Sequence, residues 1–231
     1  VDAATLAKLN AELRFDGLDT YAEVTLNGKP LLRADNAHRT WHARVEGRLQ
    51  ATGNELLIVF RSPIRTLLPG VQAMPHRIAG NYPSPYGDEP KDAMVGNFAR
   101  KPAYHFGWDW GPRYVTAGVW RGVDLQAWDT HRLTDLAVRT DALDSRQATL
   151  AVLLQVEQGN AAGSAVVDVD VRDPEGRSVA QVQRTVLLKP GANTVEIPVE
   201  LAEPRRWWPV GHGAQDRYTV QARLDGGRSA E

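Results

Sequence analysis

The 231-residue chain contains no cysteine, which removes disulfides, thiolate zinc sites and cysteine nucleophiles together. Its compartment stays open, because a cysteine-free chain suits reducing and oxidising surroundings alike. No sign of charge predominates: 27 Lys and Arg stand against 28 Asp and Glu, a formal net charge of -1, so nothing pulls the chain toward nucleic acid or an anionic bilayer. Arg33, Arg39, Arg44 and Arg48 are spread singly, as on a solvated face. Long apolar runs are also missing. No stretch approaches the roughly 20 residues of a membrane span, and Val1-Asp2-Ala3-Ala4-Thr5-Leu6 has no basic-then-apolar export signal. The first residue is not Met, as expected of a cut or processed piece of a longer protein. Without charged or low-complexity runs nearly all of the chain is expected to fold, in two modest domains, 1–129 and 130–231.

Several kinds of chemistry lack their residues as well. No Gly-x-Ser-x-Gly elbow surrounds any serine, so no acyl-transfer site is expected. Gly211-His212-Gly213 has neither the third glycine nor the βαβ unit of a dinucleotide loop and reads as a turn. The 6 histidines include no helical pair at metal-ligand spacing, and Asp88, Glu89 and Asp92 in a Pro-rich loop read as solvated acids. Neither metal nor cofactor is expected. Glycosidic cleavage needs two carboxylates across a bound sugar. Strand-borne acids such as Glu23 and Glu196 read instead as solvent-facing members of an alternating pattern, so no catalytic residue is assigned.

What is present is β structure. Ala11–Phe15 and Tyr21–Leu26 alternate apolar and polar residues, and Asn27-Gly28 is a strong hairpin signal that Leu31-Leu32 continues. Thr40–Val45 alternates again, and the β-branched run Glu55–Phe60 reads as a buried strand. From Arg65 to Lys101 the prolines and glycines speak against a long helix or an unbroken ladder. A loop this long in a compact domain is expected to be functional or disordered. Trp120–Trp128 reads as a closing strand. Beyond His131, strands are expected at Leu136–Arg139, Ala148–Glu157, Ala165–Arg172, Val179–Leu188, Thr194–Val199 and Tyr218–Leu224. Asp173-Pro174-Glu175-Gly176 and Lys189-Pro190-Gly191 supply turns. The fold class is therefore all-β: a sandwich or jelly roll, followed by an immunoglobulin-like β-sandwich without the Cys-Trp-Cys core of antibody domains. Helical composition is moderate only in Ala3–Glu12, read as a short helix or turn.

The long loop ends in Arg100-Lys101-Pro102-Ala103-Tyr104-His105-Phe106-Gly107-Trp108-Asp109-Trp110-Gly111. A carboxylate between two indoles can accept hydrogen bonds from vicinal hydroxyls while the aromatic faces cover the C–H patches of a pyranose. Taken alone, a Trp-Asp-Trp is more often a core cluster with one satisfied charge.

Phe15-Asp16-Gly17-Leu18-Asp19-Thr20-Tyr21 through Asn27-Gly28, with Asp35–Arg39 and Arg61-Ser62-Pro63, resembles the sugar-binding jelly roll of glycoside hydrolase family 2, which implies a galactose-binding-like jelly-roll sandwich for the first domain. Arg100-Lys101-Pro102 through Pro112-Arg113, then Thr116–Trp120, is similar to that family's β-mannosidase branch. Trp207-Trp208-Pro209-Val210-Gly211-His212-Gly213 and Tyr218 look like the element that closes the first immunoglobulin-like domain, although Val210 and His212 depart from the usual pattern. The resemblance implies that jelly-roll strands before Leu13 are missing and that both catalytic glutamates of a retaining exo-β-mannosidase lie in a TIM barrel outside this chain. It implies Asp109 as a hydroxyl-binding carboxylate, Trp108 beside it in a terminal-mannose subsite shared with that barrel, and Trp110 as wall or support. Arg100, Lys101, Tyr104 and His105 would stand behind them. Trp207 and Trp208 would fix the domain end against a neighbour. The partner is a terminal β-mannoside, with no nucleic acid or membrane and no indication of oligomeric state; a periplasmic or secreted setting is compatible with the family. A stand-alone carbohydrate-binding module and a structural β-domain pair are the alternatives.

Overall fold

A computed structural model describes residues 1–76, 78, 94–225 and, for backbone alone, 229–230. Asp88, Glu89 and Asp92, with much of the Pro-rich loop, lie outside the described residues. The chain divides into two compact units, Val1–Trp128 and Asp129–Glu231.

The first unit opens on a single helical turn, α1 (Ala3–Leu6), capped by the Asp2 carboxylate, which accepts from the Thr5 amide at 2.8 Å. The residues Ala3–Glu12 thus split: one turn of helix, then the start of a strand. Strands β1 (Asn10–Phe15), β2 (Leu18–Asp19), β3 (Tyr21–Leu26), β4 (Lys29–Asp35), β5 (Trp41–Arg44) and β6 (Leu56–Arg61) follow. After an interrupted stretch come β7 (Gly118–Val119) and β8 (Val123–Trp128). They form antiparallel sheets ordered β5-β1-β8, β4-β3-β6 and β2-β7. Asn27 and Gly28 both take positive φ, 51° and 73°, the turn that matches hairpin twist. The Asn27 side chain also accepts from the Glu55 amide at 2.8 Å, tying the turn to the approach to β6.

The core of this unit gathers Leu13, Phe15, Leu18, Val24, Leu26 and Val45. The expected strand is present as Leu56–Arg61, but its burial is partial: Ile58 and Phe60 pack against the core, while Leu57, on the opposite face by the period of two, is 50% exposed. A second difference lies where prolines spoke against helix. Here α2 (Pro63–Gln72) begins with Pro at its first position, where no amide bond is lost, and Ser62 caps it by accepting from the Arg65 amide. Pro69 falls near its end and forfeits one intrahelical bond. What holds the helix is tertiary: Ile64 packs with Val95 and Phe106 in a small core of its own.

The second unit is a sandwich of β9 (His131–Leu143), β10 (Gln147–Gln158), β11 (Gly163–Arg172), β12 (Ser178–Leu188), β13 (Gly191–Ala202), β14 (Thr219–Leu224) and β15 (Ser229–Ala230). One sheet runs β13-β10-β9, the other β12-β11-β14-β15. Even positions of β10 (Leu150, Val152, Leu154, Val156) and odd positions of β11 (Val167, Val169, Val171) and β13 (Ile197, Val199, Leu201) share one core. The period of two puts successive residues on opposite faces, so the apolar set is buried and Glu157, Asp168 and Glu196 fall on the other face.

Candidate functional site

The residues from Arg100 to Trp120 carry almost no regular structure, yet they are held at many points. A 3₁₀ turn at Ala103–Phe106 drives Phe106 into the small core beneath α2, where it is fully buried. Directly afterwards Gly107 adopts φ 101°, a conformation that side chains with Cβ avoid, and the chain turns outward. The Arg113 guanidinium donates to the Phe106 carbonyl at 3.0 Å and lies 5.5 Å from its ring centroid. Two backbone bonds between Trp108 and Gly111, of 3.3 and 3.4 Å, close the turn.

On this turn Trp108 is 51% and Trp110 83% exposed, with ring centroids 5.7 Å apart in an edge-to-face arrangement. Asp109 between them is also exposed, so the core-cluster alternative does not describe this segment. Its Oδ1 accepts from the Trp110 amide at 3.1 Å, which orients the carboxylate. A carboxylate has lone pairs beyond that one bond and can take hydroxyl donors beside two apolar ring faces.

The other residues of the stretch separate into different roles. Arg100 is exposed, and its carbonyl accepts from the Ala37 amide at 2.8 Å, anchoring the loop's start beside Asn36. Tyr104 is 66% exposed and meets the His105 ring edge-on at 4.9 Å. Lys101 is interior: its Nζ donates to both Asp19 oxygens at 3.0 and 2.9 Å and to the Thr116 carbonyl at 2.6 Å. The Thr116 and Thr20 hydroxyls both donate to the Asp19 carboxylate. His105 Nδ1 stands 3.3 Å from the Thr116 hydroxyl and 3.9 Å from Asp19. Burial first, and Lys101 second, hold its imidazole below the usual histidine value, against the opposing pull of Asp19. Asp19 was not singled out by sequence reasoning, although it lies in a stretch that carried the family resemblance. Gly17 in that stretch has a spatial reason: a Cβ there would meet Trp120 Nε1 at 2.4 Å.

The second unit contains a cavity of about 760 Å³ lined by Leu136, Val138, Leu143, Leu150, Trp207 and Trp208 among others. Its walls are mainly aliphatic, and no carboxylate lines it. Among the described residues no cluster of three or more His, Asp or Glu could hold a metal ion, and no helix is long and apolar enough to cross a membrane.

Residues 1–121 match the family described as "Glycosyl hydrolase 2 galactose-binding domain-like", and residues 131–231 match "Glycosyl hydrolases family 2". The chain belongs to glycoside hydrolase family 2. It is 34% identical to β-mannosidase B of Aspergillus terreus, over 92% of this chain and 24% of that protein. With the β-mannosidase of Bos taurus the identity is 31%, over 98% of this chain and 26% of the relative. A crystal structure of β-D-mannosidase from Dictyoglomus thermophilum superposes with a TM-score of 0.86 at 31% identity, over 97% of this chain and 26% of that one. The family chain described here therefore spans about a quarter of the length of these relatives.

Proposed function

We propose that this chain is the non-catalytic, two-domain N-terminal part of a retaining exo-β-mannosidase and contributes Asp109 and Trp108 to the subsite for the terminal non-reducing mannose. The first unit is the sugar-binding jelly roll and the second the immunoglobulin-like domain. The observation that carries this reading is the turn itself: an oriented, exposed carboxylate flanked by two exposed indoles, in a chain similar to β-mannosidases along nearly its whole length. Asp109 accepts hydrogen bonds from sugar hydroxyls, Trp108 covers a C–H face, and Trp110 is wall or support. The two glutamates that protonate the leaving group and attack the anomeric carbon, roughly 5–5.5 Å apart in retaining enzymes, come from a barrel beyond this chain. A shared subsite completed elsewhere binds only feebly by itself.

Two measurements test this. The chain should release no product from an aryl β-mannoside above a buffer blank, and turnover by the pure chain would refute the reading. Calorimetric titration with manno-oligosaccharides should give little heat; saturable heat abolished by Asp109→Asn would instead favour a stand-alone carbohydrate-binding module.

A further inference from the structure

We infer that Lys101 and Asp19 form a clasp that closes the base of the Trp-Asp-Trp loop, making them positioning residues for Asp109. The functional consequence rests on the mannose-subsite reading; the clasp itself does not.

Lys101 begins the loop and Thr116 ends it. One ammonium group joins them, because its three donors go to the two Asp19 oxygens and the Thr116 carbonyl. The same carboxylate takes the Thr116 hydroxyl at 3.3 Å, so both ends of the loop meet at one residue of β2. Just beyond, Gly118 pairs with Asp19 in the β2–β7 register and stitches the far end a second time. The Lys101 side chain is 0% and that of Asp19 8% exposed, which places the pair away from solvent.

Such a pair is a poor source of stability, since apolar residues of similar volume commonly do as well. What it supplies is direction. The turn has little rigidity of its own: its two closing bonds are longer than an ordinary N–H···O bond, and both indoles stand in solvent. Its position must come from the base, through the Phe106 plug and the clasp.

The test uses the whole 231-residue chain labelled with 5-fluorotryptophan, the Trp108 and Trp110 signals being assigned from single Trp→Phe variants. In the double variant Asp19→Asn/Lys101→Met, which leaves no charge buried alone, both signals should move toward the free-tryptophan shift while those of Trp41 and Trp128 stay. Amide exchange of residues 107–116 should speed up about tenfold. Lys101→Arg should restore part of the protection relative to Lys101→Met. A folded double variant with unchanged loop signals and exchange would overturn the clasp. Should that variant fail to fold, Thr116→Val keeps the ion pair and must still displace the same two signals, though less; unmoved signals overturn the inference equally. Asp109→Asn should leave the Trp41 and Trp128 signals and the exchange protection of the loop base in place. A change in mannoside binding, or none, in that variant therefore judges the subsite reading separately.

Discussion

In the first unit Trp108 and Trp110 stand on a turn and flank a carboxylate; in the second, Trp207 and Trp208 border an aliphatic groove with no carboxylate in its lining. Their supports differ as well. The Trp208 amide donates to the Ala214 carbonyl at 2.8 Å, and its own carbonyl accepts from the Gln215 side chain at 3.1 Å, all within one local turn. Gly213 is packed under the indole, where a Cβ would come within 2.6 Å of it. The Trp108–Trp110 turn instead depends on Lys101 and Asp19, 82 residues apart in sequence. An aromatic pair held by its own neighbours can be carried by any sandwich edge. One held by a distant ion pair has an orientation that only the folded first unit supplies, and that is where a polar ligand demanding precise hydrogen bonds is best served.

The largest expected effect on this contrast comes from Lys101→Met alone. It strands the Asp19 carboxylate in the interior and should destabilise the first unit by about 3–5 kcal/mol, while leaving the second unit's amide exchange unchanged. Mass-spectrometric hydrogen exchange during denaturant titration reads both units separately; equal loss in both would erase the distinction. Leu154→Ala makes the opposite cut. Its side chain is fully buried in the second core, so the variant should cost about 2–5 kcal/mol there and spare the Trp-Asp-Trp turn.

A smaller effect separates the units by pH. Because His105 is held below its ordinary 6.5, the unfolded chain binds its proton more readily. Its contribution is complete above that value and is lost as pH falls from 6.5 toward the folded-state value. Melting of the first unit should decline in that interval, and His105→Gln should remove that part of the decline. In the second unit Asp170 lies below its ordinary 3.8, through the Ser178 hydroxyl and then Arg172. Its contribution persists until pH drops below 3.8 and disappears through the lower folded value. Acid melting curves of Asp170→Asn against the parent check this: the parent's advantage should be present at pH 6 and vanish as pH falls below 3.8 through the lower folded value, and an advantage that persists in acid would contradict it. Smallest in stability is Asp109→Asn, expected within about 0.5 kcal/mol of the parent because the residue is exposed. Its effect should be confined to mannoside recognition, measured on a protein that includes the catalytic part; an unchanged KM and kcat there would remove Asp109 from the subsite.

The second unit was largely legible as sequence. Alternation over residues 154–157 and 167–172, with Asp173-Pro174-Glu175-Gly176 and Lys189-Pro190-Gly191 between strands, specifies which face is buried without knowledge of the partner strand. The first unit was legible at its hairpin for the same reason. Where a local rule pointed the other way, as with Pro69 inside α2, packing of Ile64 against Val95 and Phe106 outweighed propensity. The strand Leu56–Arg61 was recognisable, but which of its faces meets the core, that of Ile58 and Phe60, follows from the packing of the sheets and not from a run that is apolar on both faces.

By itself the sequence determined the residue types at the candidate site: a carboxylate between two indoles, preceded by Lys101 and His105, on a segment too rich in turns for regular structure. It also carried the family, through separated stretches in a fixed order. Only the tertiary structure decided which of those residues meet solvent and which do not. Lys101 and Asp109 are both charged and eight positions apart, and no local pattern distinguishes them; one is interior because a carboxylate from β2 is there to receive it, the other exposed because Gly107 turns the chain outward. The physical reason is that burial of a charge depends on a partner brought by the fold, whereas alternation and turn chemistry depend only on neighbours along the chain.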